Sequence, residues 1–397
     1  MAETKIPFAR VVCSGNELEY VRQVLESGWL TTAGKAGEFE KKFAVQVGAR
    51  RALAVNSCTS ALHLGLEALG LKPGDEVIVP ALTFAASAET VRYLGAEPVI
   101  CDVDGRTGLL RPETVAAIAA GRPKVKAVMP VHYGGQSVRM FADAQGPGLM
   151  EVARAYGLKI VEDAAHAFPA RYQADAGPVG SLEETVCCFS FYANKTITTA
   201  EGGMLTSGSE DVLRRASVMR LHGIDRDVWA RFTSAKPSWR YDVVAPGYKY
   251  NLPDVLAAIG LAQLEQAAAW RLARENIARR YYEALGRLEA LDLLQLRSGL
   301  SPADHSWHLF PVILKPEARL GRDEFIERLA ERGIGASVHY CPLYRLRYYR
   351  ERYGLDPADF PETEKIWAGT VSLPIYPSLT ADETEYVCLT VAELLGG

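Results

Sequence analysis

Between about residues 50 and 220, short apolar runs alternate with segments whose apolar positions recur at helical spacing. RALAVNS, DEVIVPAL, EPVICDVD, VKAVMPVHY, KIVEDAA, TVCCFSF and GGMLTS predict strands. SALHLGLEALG, SAETVRYLG, RPETVAAIAA (proline near its start) and LMEVARAYG predict the helices between them. The strand runs are continuously apolar, which means burial on both faces. This alternation predicts an α/β fold, a seven-stranded, mostly parallel sheet sandwiched by helices. In such sheets ligands bind beyond the carboxyl ends of the strands.

Near 245–255 the texture changes, and a hinge is placed there. Pro253 to Leu285 is a long Ala/Leu/Arg-rich helical stretch. HLFPVIL then predicts a strand, RDEFIERLAERG a helix stopped by glycine, GASVHY a strand and ADETEYVCLTVAELL a closing amphipathic helix. The expected organisation is a large α/β domain over 1–250 and a smaller α+β domain over 251–397. ADAQGPG (142–148) reads as a surface loop.

Composition narrows the function classes. The 397 residues are 48% hydrophobic and 23% charged, with a formal net charge of −4. That balance gives no footprint for a nucleic acid. The densest basic window, RLRYYRER at 345–352, predicts a solvated helix or loop face. Apolar runs are broken well short of a membrane span, and MAETKIPFARVV lacks the basic head and apolar core of a secretory leader. The seven cysteines (13, 58, 101, 187, 188, 341, 388) are scattered and odd in number, which suits a reducing cytoplasm; Cys187 and Cys188 read as small core residues. No CxxC or HxxxH spacing points to a metal. The expected setting is cytoplasmic, with no membrane or nucleic-acid partner.

The candidate chemistry sits at strand ends. Asp163 follows the apolar run Leu158 to Val161, and Lys195 lies in the polar, small-residue turn of FSFYANKTITTAEGGM (189–204). An amine able to form a Schiff base and a carboxylate able to pair with a pyridinium nitrogen are what a pyridoxal phosphate (PLP) enzyme must supply. Each residue also has a plainer reading: Asp163 as a solvated strand-end acid, Lys195 as a surface lysine. Thr59 and Ser60, in NSCTSAL between a strand and a helix, suit either a phosphate site or a helix cap. Ser190, on the same segment as Lys195, suits a further donor to a phosphate. His166 suits a ring contact or a hydrogen-bonded core histidine, and Phe84 suits stacking on a ring or core packing.

Taken together, Phe189 to Met204, Glu162 to Ala167 (EDAAHA) and Gly247 to Leu252 (GYKYNL) resemble the DegT/StrS-type sugar aminotransferases, PLP enzymes of fold type I. Ser27 to Thr32 (SGWLTT), Pro130 to Gly135 (PVHYGG) and Trp307 to Phe310 (WHLF) extend the resemblance over essentially the whole chain. It implies that Lys195 carries the cofactor and Asp163 pairs with its pyridine nitrogen. It also implies that Thr59, Ser60 and Ser190 bind the phosphate, Phe84 stacks on the ring, and His166 sits near the ring hydroxyl. It implies a homodimer with shared active sites, in which Asn251 reaches the partner's phosphate and residues 1–45 form a substrate and interface segment. Trp29, Thr32, His308 and His339 occupy sugar-pocket positions, each equally suited to packing; Arg231 is one candidate among many for the nucleotide diphosphate.

The implied reaction moves an amino group from an amino acid, L-glutamate, to a nucleotide-linked keto-sugar, with PLP cycling through pyridoxamine phosphate (PMP), for glycan or lipopolysaccharide biosynthesis. EDAAHA and GYKYNL are similar to the forms in enzymes that aminate the 4-keto position; the nucleotide (UDP, GDP or dTDP) stays open. Four alternatives stand beside this reading: a 3-keto-sugar aminotransferase, a sugar dehydratase, a cysteine desulfurase and a non-enzymatic regulator of the same fold. The dehydratase branch replaces the lysine with histidine, whereas position 195 is lysine. A desulfurase requires a catalytic cysteine on a mobile loop, and none is clearly placed for it.

Overall fold

The computed structural model describes residues 6–173, 176–225 and 240–396. Helices α1 (Glu17–Ser27) and α2 (Gly34–Gln46) precede a seven-stranded sheet. Its strands are β1 (Ala52–Val55), β2 (Glu76–Pro80), β3 (Glu97–Cys101), β4 (Val125–Val128), β5 (Lys159–Asp163), β6 (Val186–Ser190) and β7 (Gly203–Ser207), in the order β1-β7-β6-β5-β4-β2-β3. β2 to β6 run parallel, while β7 pairs antiparallel with both β6 and β1. The connecting helices are α3 (Cys58–Ala68), α4 (Ala86–Tyr93), α5 (Pro112–Gly121) and α6 (Leu149–Tyr156), and α7 (Glu210–Met219) follows β7.

The continuous apolar runs are explained by two cores, one on each face of the sheet. Ile160 and Cys187 belong to the core that also holds Phe39, Phe43 and Phe189. Their neighbours Val161 and Cys188 belong to the other, with Leu62, Leu66 and Leu213. Successive side chains of a strand point to opposite faces, so a strand covered on both sides must be apolar at every position. Cys187 and Cys188 are therefore core residues, as read from the sequence.

Helix α8 (Asp254–Leu285) joins two bodies. Its Ala257, Leu261, Leu264 and Trp270 pack in the core with Phe39, and its Ile277, Tyr281 and Leu285 pack in a separate core with Phe310, Val312 and Val391. That second core is built on the antiparallel sheet of β8 (Leu291–Leu293), β9 (Phe310–Leu314) and β10 (Thr370–Leu373), ordered β10-β9-β8. Around it lie α9 (Arg322–Glu331), α10 (Arg347–Tyr353), α11 (Pro361–Gly369) and α12 (Ala381–Leu395). The basic window enters α10 with Arg345, Arg347, Arg350 and Arg352 exposed. Among the described residues no helix is long and apolar enough to cross a membrane.

One predicted element is corrected. GASVHY is not a strand: its backbone pairs with β10 at the Ser337–Ser372 bridge, with N–H to O distances of 3.2 and 2.7 Å, and the His339 side chain adds a 2.9 Å contact from Nδ1 to the Ser372 hydroxyl. Beyond it the chain leaves the sheet edge, and His339 and Tyr340 turn into a cavity of the larger body. That departure, invisible to local periodicity, matters for the site.

Candidate active site

Beyond the carboxyl ends of β5 and β6 lies a cavity of about 500 Å³. Thr59, Phe84, Asp163, His166, Ser190, Lys195 and His339 all line it, joined by Cys58, Tyr192, Asn194, Glu201 and Tyr340. Residues spread over most of the chain thus converge where the topology of an open parallel sheet places ligands.

Each wall has a local cause. Ser57 caps α3, its hydroxyl accepting the Ser60 N–H at 3.0 Å. The first N–H groups of a helix have no partner inside it, so those of Cys58 and Thr59 remain at the cavity wall that both residues line, a cradle for an anion. Asp163 ends β5 and is 6% exposed. Its Oδ2 accepts from the Ser87 hydroxyl at 2.7 Å and its Oδ1 from the Ala165 N–H at 3.1 Å, and Ser87 in turn bonds Thr83 at 2.7 Å. The loop carrying Lys195 is pinned by its threonines: Thr196 donates to the Phe168 carbonyl, Thr198 to that of Phe191 at 3.0 Å, and Thr199 to that of Glu201 at 2.7 Å. The side chains of a polar turn here hold the backbone that the sheet no longer holds.

The electrostatics favour neutral groups around one acid. Burial pulls the Lys195 amine down to about 8, with Cys58 and Asp163 opposing. Among the described residues no ion pair or side-chain hydrogen bond engages that amine. Burial, with the Lys195 charge nearby, holds His166 and His308 well below the usual imidazole range and His339 at about 4. Burial, then Asp163, pushes the Cys58 thiol well above its ordinary value, so it is no ready thiolate nucleophile.

Other predicted residues lie elsewhere. Ser60 is buried, its hydroxyl donating to Asn56 Oδ1 at 2.6 Å, and does not line the cavity. Asn251 donates to Thr32 Oγ1 at 2.7 Å, and Thr32 donates to the Leu252 carbonyl at 2.6 Å, a pair set apart from the cavity lining. Trp29 is likewise not a lining residue. His308 lies behind His166, ring centroids 4.5 Å apart. Arg231 lies outside the described residues. Sequence reasoning passed over Ser87, Cys58, Glu201 and Tyr340. Ser87, three residues after Phe84, carried no signal of its own.

The lining suits a PLP-type cofactor by its donor set. It offers an amine with a lowered proton affinity, a hydrogen-bonded carboxylate, a helix end with two hydroxyls, and Phe84, an aromatic ring left 59% exposed. Fold and cavity together define a PLP-dependent enzyme of fold type I. Residues 13–392 match the DegT/DnrJ/EryC1/StrS aminotransferase family, and the chain belongs to it. Over 394 residues it is 40% identical to the Bacillus subtilis spore coat polysaccharide biosynthesis protein SpsC, covering 99% of this chain and 97% of that protein. The putative sugar aminotransferase Spr1654 of Streptococcus pneumoniae superposes in its PMP form with a TM-score of 0.87 at 29% identity, covering 99% of each chain. Its PLP form gives 0.85 at 29% identity, over 98% of each. The protein is a PLP-dependent sugar aminotransferase whose cofactor cycles between PLP and PMP.

Proposed function

We infer that the enzyme transfers the amino group of L-glutamate to the 4-keto carbon of a nucleotide-linked sugar, giving a 4-amino sugar nucleotide for glycan or polysaccharide assembly. The observation that carries the reading is a single partly buried amine, Lys195, lowered to about 8 in the same cavity as a hydrogen-bonded Asp163. The polysaccharide setting is supported by the relationship to SpsC, and the 4-keto position by the EDAAHA and GYKYNL segments. When bound, the cofactor supplies an electron sink for a carbanion next to the transferred nitrogen.

The chain's own residues do the rest. Asp163, held by Ser87 and the Ala165 N–H, would pair with the pyridine nitrogen of the cofactor and hold a proton there. Lys195 would hold the cofactor and would carry a proton as general base and acid, a role that contributes roughly 10²–10⁴-fold. The α3 N-terminus, Thr59 and Ser190 would hold the phosphate. Phe84, whose ring lines the cavity, would stack on the cofactor ring. Residues 1–250 form the cofactor-binding body and 251–397 the smaller one, and the working unit is a cytoplasmic homodimer in which Asn251 serves the neighbouring site.

The test is a visible spectrum. Purified protein with PLP is expected to absorb at about 410–430 nm and to shift toward about 330 nm on adding glutamate, releasing 2-oxoglutarate. Lys195→Ala is expected to retain PLP non-covalently and to yield no borohydride-fixed adduct. An adduct at another lysine, or full turnover in this variant, overturns the assignment. The desulfurase reading is disfavoured because Cys58, the cysteine at the cavity, is held as a thiol.

A further inference from the structure

His166 is held between two partners. The Gly134 N–H donates to its Nδ1 at 3.2 Å, and its Nε2 lies 2.8 Å from the Tyr340 hydroxyl. A ring nitrogen that accepts an N–H carries no hydrogen. The imidazole is neutral, so its hydrogen sits on Nε2 and is donated to Tyr340 Oη. The phenol therefore acts as an acceptor toward His166, and its own hydrogen has no protein acceptor among the described residues. Tyr340 lines the cavity with Asp163, Lys195 and Phe84, its ring 5.7 Å from that of Phe84. The segment that brings it there left the β10 edge instead of continuing as a strand.

We propose that Tyr340 is a ligand-contacting residue, donating its phenolic hydrogen to an oxygen of the molecule held in the cavity, and that His166 is a positioning residue acting through it. This rests on the cavity being the PLP site. The acceptor oxygen belongs either to the cofactor ring or to the sugar, and one chemistry serves both. Direct contact of His166 with the ring hydroxyl, the position implied by resemblance, is replaced by contact one hydrogen bond removed. The tautomer follows from the backbone: Gly134 belongs to the PVHYGG turn and has φ 68°, a left-handed conformation that suits glycine.

The test uses the holoenzyme. In Tyr340→Phe, loss of one hydrogen bond to a charged acceptor is expected to move the pH midpoint of the visible band by roughly one unit if the cofactor oxygen is the acceptor. If the sugar oxygen is the acceptor, the midpoint stays. The half-reaction with keto-sugar then slows about tenfold or more, while that with glutamate changes little. His166→Phe is expected to reproduce whichever change is seen, and the double variant to add nothing to it. An unmoved midpoint together with unchanged half-reactions overturns the proposal. Nitrogen-15 NMR of the wild-type holoenzyme tests it without any variant: His166 is expected with hydrogen on Nε2 and none on Nδ1, and the opposite tautomer or an imidazolium sinks it. Retained PLP and a retained Lys195 adduct in Tyr340→Phe keep this outcome separate from failure of the cofactor reading.

Discussion

Lys195 shows how burial turns an ordinary side chain into a reagent. With its amine at about 8, the neutral fraction is about one-eleventh at pH 7 and about half at pH 8. The rate of PLP attachment to apoenzyme is expected to rise about fivefold over that interval and to level off above about pH 9. A rate that keeps climbing to pH 11 would mean an unshifted lysine. The stability consequence has a definite sign. Between about 8 and the ordinary 10.5 the unfolded chain holds the extra proton, so apoenzyme stability gains from this residue as pH rises through that window. Ser87 makes a second case. Its 2.7 Å bond to Asp163 is fully buried, so Ser87→Ala leaves a carboxylate oxygen short of a donor. It should lower stability by about 1–3 kcal/mol, measured by denaturant unfolding of the apoenzyme; an unchanged midpoint would show that the bond contributes nothing.

Between elements, the contact that matters most is that of β7 with the start of α3. Gly203 opens β7, and a Cβ built there would lie 2.5 Å from the Ser57 carbonyl carbon and 2.6 Å from the Cys58 nitrogen. Those are backbone atoms of the anion cradle, and they cannot rotate aside. Gly203→Ala is therefore expected to displace the α3 N-terminus and weaken PLP binding at least tenfold, by loss of placement, as read from PLP titration of apoenzyme. Affinity within twofold of the parent would show that the cradle yields. The glycine in EGGM thus answers a steric demand made by the start of a helix about 145 residues earlier in the chain. Helix α8 plays a different role: one rigid rod contributes Leu261 to one core and Tyr281 to another, which couples the small body to the large one.

For the molecule as a whole, the pair Asn251–Thr32 lies apart from the cavity of its own chain. If Asn251 serves the neighbouring subunit, two crippled chains can complement. Mixing Lys195→Ala with Asn251→Ala, each inactive alone, is expected to restore up to about a quarter of parental activity. Half the random dimers are mixed, and each mixed dimer carries one intact site. No recovery after verified subunit exchange would remove the shared site.

Much of this was open to reading along the chain. Continuous apolar runs called for a sheet covered on both faces, and Ile160 and Val161 do enter opposite cores. The acid and the amine fell at strand ends because the α/β topology puts ligands there. Hydrophobic period reports how deeply a residue is buried in its own element; it carries no information on which distant element lies beside it. The Tyr340–His166 bond spans 174 residues, and Ser87 reaches Asp163 across 76. Such contacts, like the inward turn of Ala336 to Tyr340 and the burial of Ser60 against Asn56, arise from strand order and from the closing of two bodies on one helix. The residue types and the sheet were therefore written into local pattern, while their meeting around one cavity required chain closure over long range.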